Sequence, residues 1–176
     1  MAARKVAVVM GSEADLATMT AALEQLARFG IPYDIHVLSA HRSPDAVAEL
    51  AAGAEAQGIE LFIAAAGKAA HLAGVIASKT TLPVIGCPME TGLAGGLDSL
   101  LSMVQMPQGV PVATMGTGKS GAVNAAILAA QILARSDPDL RQKLAHHKAD
   151  MAARVVQASR DIRQRLGHTD PSPAAQ

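Results

Sequence analysis

The sequence predicts a three-layer, doubly wound α/β fold, in which helices cover both faces of a parallel sheet. Short runs of apolar, β-branched residues alternate along the chain with longer, Ala-rich stretches. The short runs are apolar on both faces, as the strands of a covered parallel sheet are. In the longer stretches apolar residues recur at spacings of three and four, which indicates helices. Regular alternation of the two is the pattern of a doubly wound sheet.

Five short runs are the candidate strands, and helical stretches separate them. The strands are predicted at 5–10, 33–38, 60–66, 82–87 and 110–115. The helices between them are predicted at 14–30, 43–58, 69–80 and 97–105. Gly30 and Gly58 are helix stop signals, and Pro32 follows the first of them.

Two further helices are predicted after the last strand, at 118–134 and 137–166. The second is long and charged, and its apolar residues form only a thin stripe, which is typical of a helix that packs on another subunit. We expect a single α/β catalytic domain over residues 1–166 that includes this extra C-terminal helix. The polar tail, 167–176, is predicted to be disordered.

The composition of the chain excludes several classes of protein. It has 15 basic and 15 acidic residues and only 2% aromatic residues, so it lacks the positive charge and the stacking surfaces that nucleic-acid binding requires. The single Cys87 excludes an intrachain disulfide and a cysteine-rich zinc site, and no HExxH or paired-carboxylate pattern indicates a metal. No apolar run reaches the roughly 18 residues of a membrane helix, and the N-terminal run is too short for a signal peptide. We therefore expect a cytoplasmic protein.

Polar residues are concentrated in the loops that follow the predicted strands. In open parallel sheets, ligands bind outside the carboxyl ends of the strands, where these loops meet. The first four loops are GSEAD at 11–15, SAHRSP at 39–44, GKAAHL at 67–72 and PMETGLAGG at 88–96. Their content of Gly, Ser, His and Arg predicts a binding site at this edge of the sheet.

The first of these loops predicts an anion site. Gly11 ends the strand and a helix begins at once, so free amides and the positive helix terminus favour an anion. The Ser12 hydroxyl can donate a further hydrogen bond. The Asp15 carboxylate would repel a phosphate and is better suited to a ribose hydroxyl. The alternative is a plain helix cap, with Ser12 at the N-cap and Asp15 in the first turn.

The second loop begins at Ser39 and places His41 and Arg42 side by side. Arg42 has the two-pronged geometry that suits a phosphate, and His41 is the natural candidate for proton transfer near neutral pH. Ser43 is a good N-cap, with Pro44 at the first helical position. The alternative is a surface loop with two solvated polar residues.

The third loop surrounds Lys68 and His71 with small residues. Its Gly and Ala residues leave backbone amides exposed, which suits a planar ligand or a carboxylate lying against the chain. The alternative for His71 is a structural histidine. The other histidines have no partner pattern and are interpreted as non-functional; they are His36, His146, His147 and His168.

The segment VPVATMGTGKSGAV, residues 110–123, is close to a Walker A phosphate loop but does not match it. The motif requires a glycine five positions before Gly118 of the Gly-Lys-Ser triplet, and that position holds Ala113. No later strand ending in an Asp that could hold magnesium is visible. We therefore interpret the segment as a glycine-rich turn between a strand and a helix, and not as an ATP site.

Four segments together resemble the PurE family of purine biosynthesis. They are VVMGSEAD, SAHRSPD, AGKAAHLAG and LDSLLSMVQMPQGVPVAT, and the resemblance runs in order from about residue 4 to residue 134. The family comprises N5-carboxyaminoimidazole ribonucleotide (N5-CAIR) mutases and aminoimidazole ribonucleotide (AIR) carboxylases. The resemblance implies a flavodoxin-like fold, a homo-octamer and an enzyme that uses neither a metal nor a cofactor. The implied reaction moves a carboxyl group of a small phosphorylated ribonucleotide from the exocyclic nitrogen to C4 of the imidazole, giving CAIR.

The resemblance also implies roles for individual residues. Phosphate and ribose contacts fall on Ser12, Asp15 and Arg42, and the acid–base histidine falls on His41. The loop bearing His71 lines the pocket for the base and the carboxylate. The expected substrate-binding residues are Gly11, Ser12, Asp15, Ser39, Arg42, Gly67, Lys68, Ala70, His71 and Leu72.

Three positions depart from the family pattern, and two other interpretations stay open. Ala14 stands where the family usually has Ser, Lys68 where it has Gly, and Ala73 where Pro is common. The branch that uses free carbon dioxide tends to carry a basic residue near this loop position, as Lys68 does here, so AIR carboxylase is the alternative enzyme. A non-catalytic nucleotide-binding homologue is the third interpretation, which replacement of His41 would distinguish from both enzymes.

Overall fold

A five-stranded parallel sheet lies at the centre of the computed structural model, which describes residues 5–168. The strands are β1 Lys5–Met10, β2 Tyr33–Val37, β3 Ile59–Ala66, β4 Val84–Pro88 and β5 Ala113–Thr114. The helices are α1 Leu16–Phe29, α2 Pro44–Ala52, α3 Leu72–Ala77, α4 Leu97–Val104, α5 Gly118–Leu133 and α6 Pro138–Arg165. The strand order is β2-β1-β3-β4-β5 with parallel pairing throughout, which is the flavodoxin-like order. The predicted doubly wound α/β fold with a long C-terminal helix is confirmed.

The boundaries of three elements differ from those predicted by more than two residues. Strand β5 pairs with β4 over only two residues, because Pro111 has no amide to donate to the ladder and the regular strand begins after it. The helical stretch at 43–58 ends early at Gly53, and a 3-10 turn, Glu55–Gln57, follows it. Helix α3 is shorter at its N-terminus because residues 67–71 form a loop instead.

Helices bury both faces of the sheet. On one face, α2, α3 and α4 supply Val47, Ile76 and Met103 to a buried cluster that also contains Phe62 of β3. On the other face, α5 packs against β3, β4 and α1. Helix α5 can approach closely because its inward positions are alanines that are fully buried; they are Ala122, Ala125, Ala126 and Ala129. The contact between α5 and the sheet is therefore made through small aliphatic side chains.

A tight turn closes the start of α5. Gly118 has a φ of +68°, which glycine adopts readily and other residues avoid. A Cβ atom on Gly121 would overlap the carbonyl oxygen of Gly116. Of the three glycines in the segment that is close to a Walker A loop, Gly118 and Gly121 are therefore required by the backbone of this turn, and Gly116 is not.

We expect Gly121→Ala to lower the free energy of unfolding by roughly 2 kcal/mol, because the added methyl group overlaps a backbone carbonyl. The better helix propensity of alanine offsets only part of this loss. Chemical denaturation measures the difference. Gly116→Ala is the matched control, since a Cβ there meets nothing within 4 Å; equal stability of the two variants would contradict the packing interpretation.

The chain divides into two compact units, residues 1–133 and 134–176. The described part of the second unit is mainly α6, a helix of 28 residues. Its N-cap is Asp137, whose side chain accepts a hydrogen bond from the Leu140 amide at 3.0 Å. A single catalytic domain over 1–166 stays a prediction. Of the tail predicted to be disordered, 169–176 lie outside the described residues.

Candidate active site

A cavity of about 520 Å³ lies at the carboxyl edge of the sheet, between the loops that follow β1, β2, β3 and β4. The chain leaves β1 for β2 on one side and returns to β3 on the other. The cavity therefore lies at the topological switch point, where doubly wound sheets bind ligands. The predicted site residues that line it are Gly11, Ser12, Asp15, Ser39, His41, Arg42, Gly67, Lys68, His71 and Leu72. Ala70 is fully buried and is not among the lining residues.

The loop after β1 forms a capping box. The Ser12 hydroxyl accepts a hydrogen bond from the Ala14 amide at 3.3 Å, and Asp15 Oδ2 accepts one from the Ser12 amide at 3.1 Å. The helix-cap interpretation is thus observed, although both side chains also line the cavity. Partial burial raises the pKa of the Asp15 carboxyl, and the hydrogen bond from Ser12 opposes this rise.

Hydrogen bonds of two serines, Ser39 and Ser43, stabilise the loop after β2. The Ser39 amide donates to the Ser43 hydroxyl at 2.9 Å, and that hydroxyl donates to the Ser39 carbonyl at 3.1 Å. The Ser39 hydroxyl accepts from the amides of His41 and Arg42 at 3.3 and 3.2 Å. These bonds fix the backbone that carries the histidine and the arginine.

The predicted role of Ser43 as a helix cap is wrong in one respect. Ser43 occupies the N-cap position of α2 and Pro44 follows it, as expected, but its side chain makes no capping hydrogen bond. The hydroxyl is engaged by the backbone of Ser39 instead. Ser43 therefore stabilises the loop and not the first turn of the helix.

Arg42 connects the loop after β2 to the loop after β1. Its Nη2 donates to the Gly11 carbonyl at 3.1 Å, which uses only part of the five-donor capacity of a guanidinium. The contact holds Arg42 beside Ser12, and both residues line the cavity. The cation and the hydroxyl predicted to bind an anion are thus brought together.

His41 and His71 form a hydrogen-bonded pair between two loops. Nε2 of His41 and Nδ1 of His71 are 2.9 Å apart, and the rings meet edge to face at 73°. One nitrogen must carry a proton while the other accepts it, so the two rings share a proton. His71 is exposed, which is not what a structural core histidine would show. The pair can accept a proton at one ring and relay the change to the other.

Helix α4 holds the loop after β3 in place. The Lys68 amide donates to the Ser99 hydroxyl at 2.9 Å. The Ser102 hydroxyl lies 3.2 Å from the Lys68 carbonyl and 2.7 Å from the Asp98 carbonyl, and it shares its proton between them. Lys68 has a φ of +59°, which is rare for a residue with a side chain. The LDSLLS segment, residues 97–102, therefore positions a loop of the site.

Asp98 of the same helix holds the loop after β4. Its Oδ1 accepts hydrogen bonds from the Thr91 hydroxyl at 2.5 Å and from the Ser99 amide at 2.9 Å. The hydrogen bond from Thr91 is the main cause that lowers the pKa of Asp98. Because Thr91 lines the cavity, α4 supports two of its four loops.

Sequence reasoning missed several lining residues. The loop after β4 was expected at this edge, but no residue in it was singled out, and Met89, Glu90 and Thr91 line the cavity. These residues directly follow β4, which lies next to β3, and this position could have predicted that they line the site. The remaining lining residues are small: Ala14, Ala40, Ala66 and Ala69.

We expect Asp98→Asn to lower the stability of the protein at neutral pH, with a difference from wild type that shrinks in acid. Because the folded-state pKa is lowered from 3.8, the ionised carboxylate contributes stability above the unfolded pKa. That contribution is lost as the pH falls through the folded pKa. Chemical denaturation at pH 7 and in steps below pH 4 measures the difference. Asp150→Asn, in an exposed part of α6, is the control; a difference that did not change with pH would contradict this account.

Cys87 is not a candidate nucleophile. It is buried, and burial raises the pKa of its thiol to about 12, so the thiol stays protonated. Within residues 5–168, no group of three or more His, Cys, Asp or Glu residues could hold a metal ion. In the same part of the chain, no helix has the length and apolar character needed to cross a bilayer.

Comparison with known proteins gives one consistent result. Residues 5–154 match the family described as AIR carboxylase. The N5-carboxyaminoimidazole ribonucleotide mutase of Pseudomonas aeruginosa is 48% identical over 151 residues, which cover 86% of this chain and 93% of that protein. The mutase of Bacillus subtilis is 51% identical over 154 residues, with coverages of 88% and 95%. The crystal structure of Treponema denticola PurE aligns with a TM-score of 0.81 and 26% identity, over 90% of this chain and 98% of that one.

Proposed function

The chain belongs to the AIR carboxylase family, and from this premise we propose that it is an N5-CAIR mutase with its active site in the cavity at the switch point. The enzyme is an isomerase that moves a carboxyl group from the exocyclic nitrogen to C4 of the imidazole. The observation that carries the assignment to this cavity is the pair formed by His41 and His71. A proton-sharing pair lies between loops that also present an arginine, a serine and backbone amides.

The phosphate and ribose of the substrate are proposed to bind at the loops after β1 and β2. The Ser12 hydroxyl accepts from a backbone amide but still has its own proton to donate to a phosphate. The guanidinium of Arg42 has further N–H donors that can bind the same phosphate. Asp15 uses Oδ2 for the Ser12 amide, which leaves Oδ1 to accept from a ribose hydroxyl.

The imidazole is proposed to lie against the loop after β3, beside the histidine pair. Gly67 and Leu72 line this part of the cavity, and Ala70 is buried beneath the surface of the loop. Small residues let a flat ring approach the backbone. Contacts to the remote phosphate then hold the ring in place without touching the reacting atoms.

The proposed reaction has two proton steps at His41. His41 donates a proton to the exocyclic nitrogen as the bond from nitrogen to the carboxyl carbon breaks, and carbon dioxide is released while the electron pair stays on nitrogen. C4 of the AIR formed then attacks carbon dioxide, and a carbon–carbon bond forms. His41 removes the C4 proton, which restores the aromatic ring and returns the histidine to its starting state. His71 holds the His41 ring through the 2.9 Å hydrogen bond.

The cavity must also retain the carbon dioxide between the two steps. Confinement next to C4 replaces an encounter in solution by a reaction within one complex. The small lining residues Ala66, Gly67 and Ala69 leave room for a linear molecule of this size. Exclusion of water from the same space prevents hydration of carbon dioxide.

The function is tested by offering the purified protein either N5-CAIR or AIR with bicarbonate, and following CAIR by absorbance or proton NMR. We expect CAIR to form from N5-CAIR at the higher rate. Faster formation from AIR and bicarbonate would identify a carboxylase that uses free carbon dioxide. Binding of the nucleotide without conversion of either substrate would identify a non-catalytic homologue.

We also propose that the protein is a cytoplasmic homo-octamer, as the family resemblance implies. Exposed apolar side chains on α4 and the loop before it support an assembly: Leu93, Leu97, Leu101 and Val104. Within α4, the spacings of four and three place Leu97, Leu101 and Val104 on one side of the helix. An exposed apolar stripe of this kind is typical of a surface that contacts another subunit.

A further inference from the structure

We propose that Lys68 is a specificity-determining residue whose ammonium group binds the carboxyl group that is transferred. The inference rests on the proposed function, because it names the part of that substrate which Lys68 recognises. It concerns a position where this chain has a long cation and the family usually has glycine. Three features of the structure support it.

The first feature is the backbone conformation of Lys68. Its φ of +59° lies in the left-handed region, where a Cβ atom is unfavourable and glycine is not. A residue other than glycine stays in this conformation only where contacts with the surrounding structure hold it there. Such residues occur frequently at ligand-binding sites. A lysine here therefore costs stability that a glycine would not.

The second feature is the clamp on both peptide groups of Lys68. Ser99, whose hydroxyl accepts from the Lys68 amide at 2.9 Å, is fully buried. The Ser102 hydroxyl shares its proton between the Lys68 carbonyl at 3.2 Å and the Asp98 carbonyl at 2.7 Å. Because α4 anchors the Lys68 amide through Ser99 and also contacts the Lys68 carbonyl, it holds the backbone from which the side chain leaves. Lys68 is exposed and lines the cavity.

The third feature is the distribution of charge around the cavity. Among the described residues that line the cavity, the arginine is Arg42 and the lysine is Lys68. Arg42 is fixed at the loop after β1 by the Gly11 carbonyl, where the phosphate is proposed to bind. Lys68 belongs to the loop of His71, next to the proton-sharing pair. A substrate with a phosphate at one end and a carboxylate at the other matches these two cations.

The acidic lining residues do not compete with the carboxylate for Lys68. Asp15 is held in the capping box of the loop after β1. The Glu90 carboxyl lies over Gly118, at the start of α5, where the positive end of the helix favours a carboxylate. Both carboxylates thus have surroundings of their own, which leaves the Lys68 ammonium available to a ligand in the cavity that Lys68 lines.

A specific kinetic consequence follows from the charge of the intermediate. N5-CAIR and CAIR carry a carboxylate, whereas carbon dioxide is neutral. The ammonium group therefore stabilises the substrate and the product more than it stabilises the complex of AIR and carbon dioxide. Removing the charge should raise KM without lowering kcat, because the binding that is lost was at least as strong in the substrate complex as in the transition state.

The experiment compares Lys68→Met with wild type by calorimetric titration of CAIR and of AIR, together with kcat and KM for N5-CAIR. Methionine keeps the length of the side chain and removes its charge. We expect the Kd of CAIR to rise roughly tenfold and that of AIR to stay unchanged, with KM raised and kcat retained. Lys68→Arg should preserve the preference for CAIR. Equal changes for CAIR and AIR, or no change for CAIR, would overturn the proposal.

Two further variants separate charge from backbone strain. Lys68→Gly should lose the same CAIR affinity while raising the melting temperature, because glycine tolerates the positive φ; unchanged CAIR affinity would contradict a role for the side chain. Lys79→Met, an exposed lysine just after α3, is the matched control. If wild type neither converts N5-CAIR nor binds CAIR, the proposed function itself fails. If wild type does both and Lys68→Met keeps its preference for CAIR over AIR, only the inference about Lys68 fails.

Discussion

We expect His41→Asn to lower the turnover of N5-CAIR by roughly a thousandfold, a typical loss for a general acid–base group, while nucleotide affinity stays within a few-fold of wild type. Asparagine is a polar side chain of smaller size, but it does not extend to the position of the His41 Nε2 atom that contacts His71, and it cannot exchange a proton with the exocyclic nitrogen or with C4. The affinity is retained because phosphate and ribose are held by other loops. Turnover is measured from CAIR formation, and affinity by titration with CAIR.

The control for this variant is His146→Asn, an exposed histidine of α6 that does not line the cavity. It should keep full turnover. If His41→Asn retained turnover within about tenfold of wild type, the size of effect that a general acid–base group exceeds, the assigned role of His41 would be wrong. A parallel loss of affinity would indicate that the substitution had disturbed the loop after β2.

We expect Arg42→Ala to weaken CAIR binding by roughly a hundredfold, because charge-assisted hydrogen bonds to a phosphate are among the strongest that a side chain makes. The dephosphorylated nucleoside should bind wild type and variant with similar affinity. Titration of both ligands against both proteins measures the difference. The variant also loses the bond to the Gly11 carbonyl, so its melting temperature is recorded alongside.

Arg42→Lys serves as the graded comparison. Lysine keeps the positive charge but lacks the planar fork of the guanidinium, so an intermediate loss is expected. An equal loss of affinity for the nucleotide and the nucleoside would show that Arg42 acts on the ribose or the loop and not on the phosphate.

Much of the fold follows from patterns that act over short distances along the chain. The runs at 5–10 and 60–66 form β1 and β3 almost residue for residue, because buried parallel strands must be apolar on both faces. The rule that loops meet at the carboxyl edge correctly brought Ser12, Arg42 and His71 to one cavity. Strand β5 was overestimated because its apolar character was weighed without the missing amide of Pro111.

The support of the site could not be predicted in the same way, because it depends on contacts between distant residues. His41 and His71 are 30 residues apart in the chain, and the pairing depends on how two loops cross the end of β1. Lys68 and Ser99 are 31 residues apart, and a serine within a helix gives no sign of which backbone amide it will accept from. The hydroxyl of Ser43 could bond either to the first turn of α2 or to the backbone of Ser39, and the shape of the loop favours Ser39.

A crystal structure of the protein with CAIR bound tests the central claim most directly. The account predicts the phosphate within hydrogen-bonding distance of Ser12 and Arg42 together, with C4 of the imidazole next to the His41 ring. A nucleotide bound elsewhere, or a phosphate remote from both side chains, would contradict it.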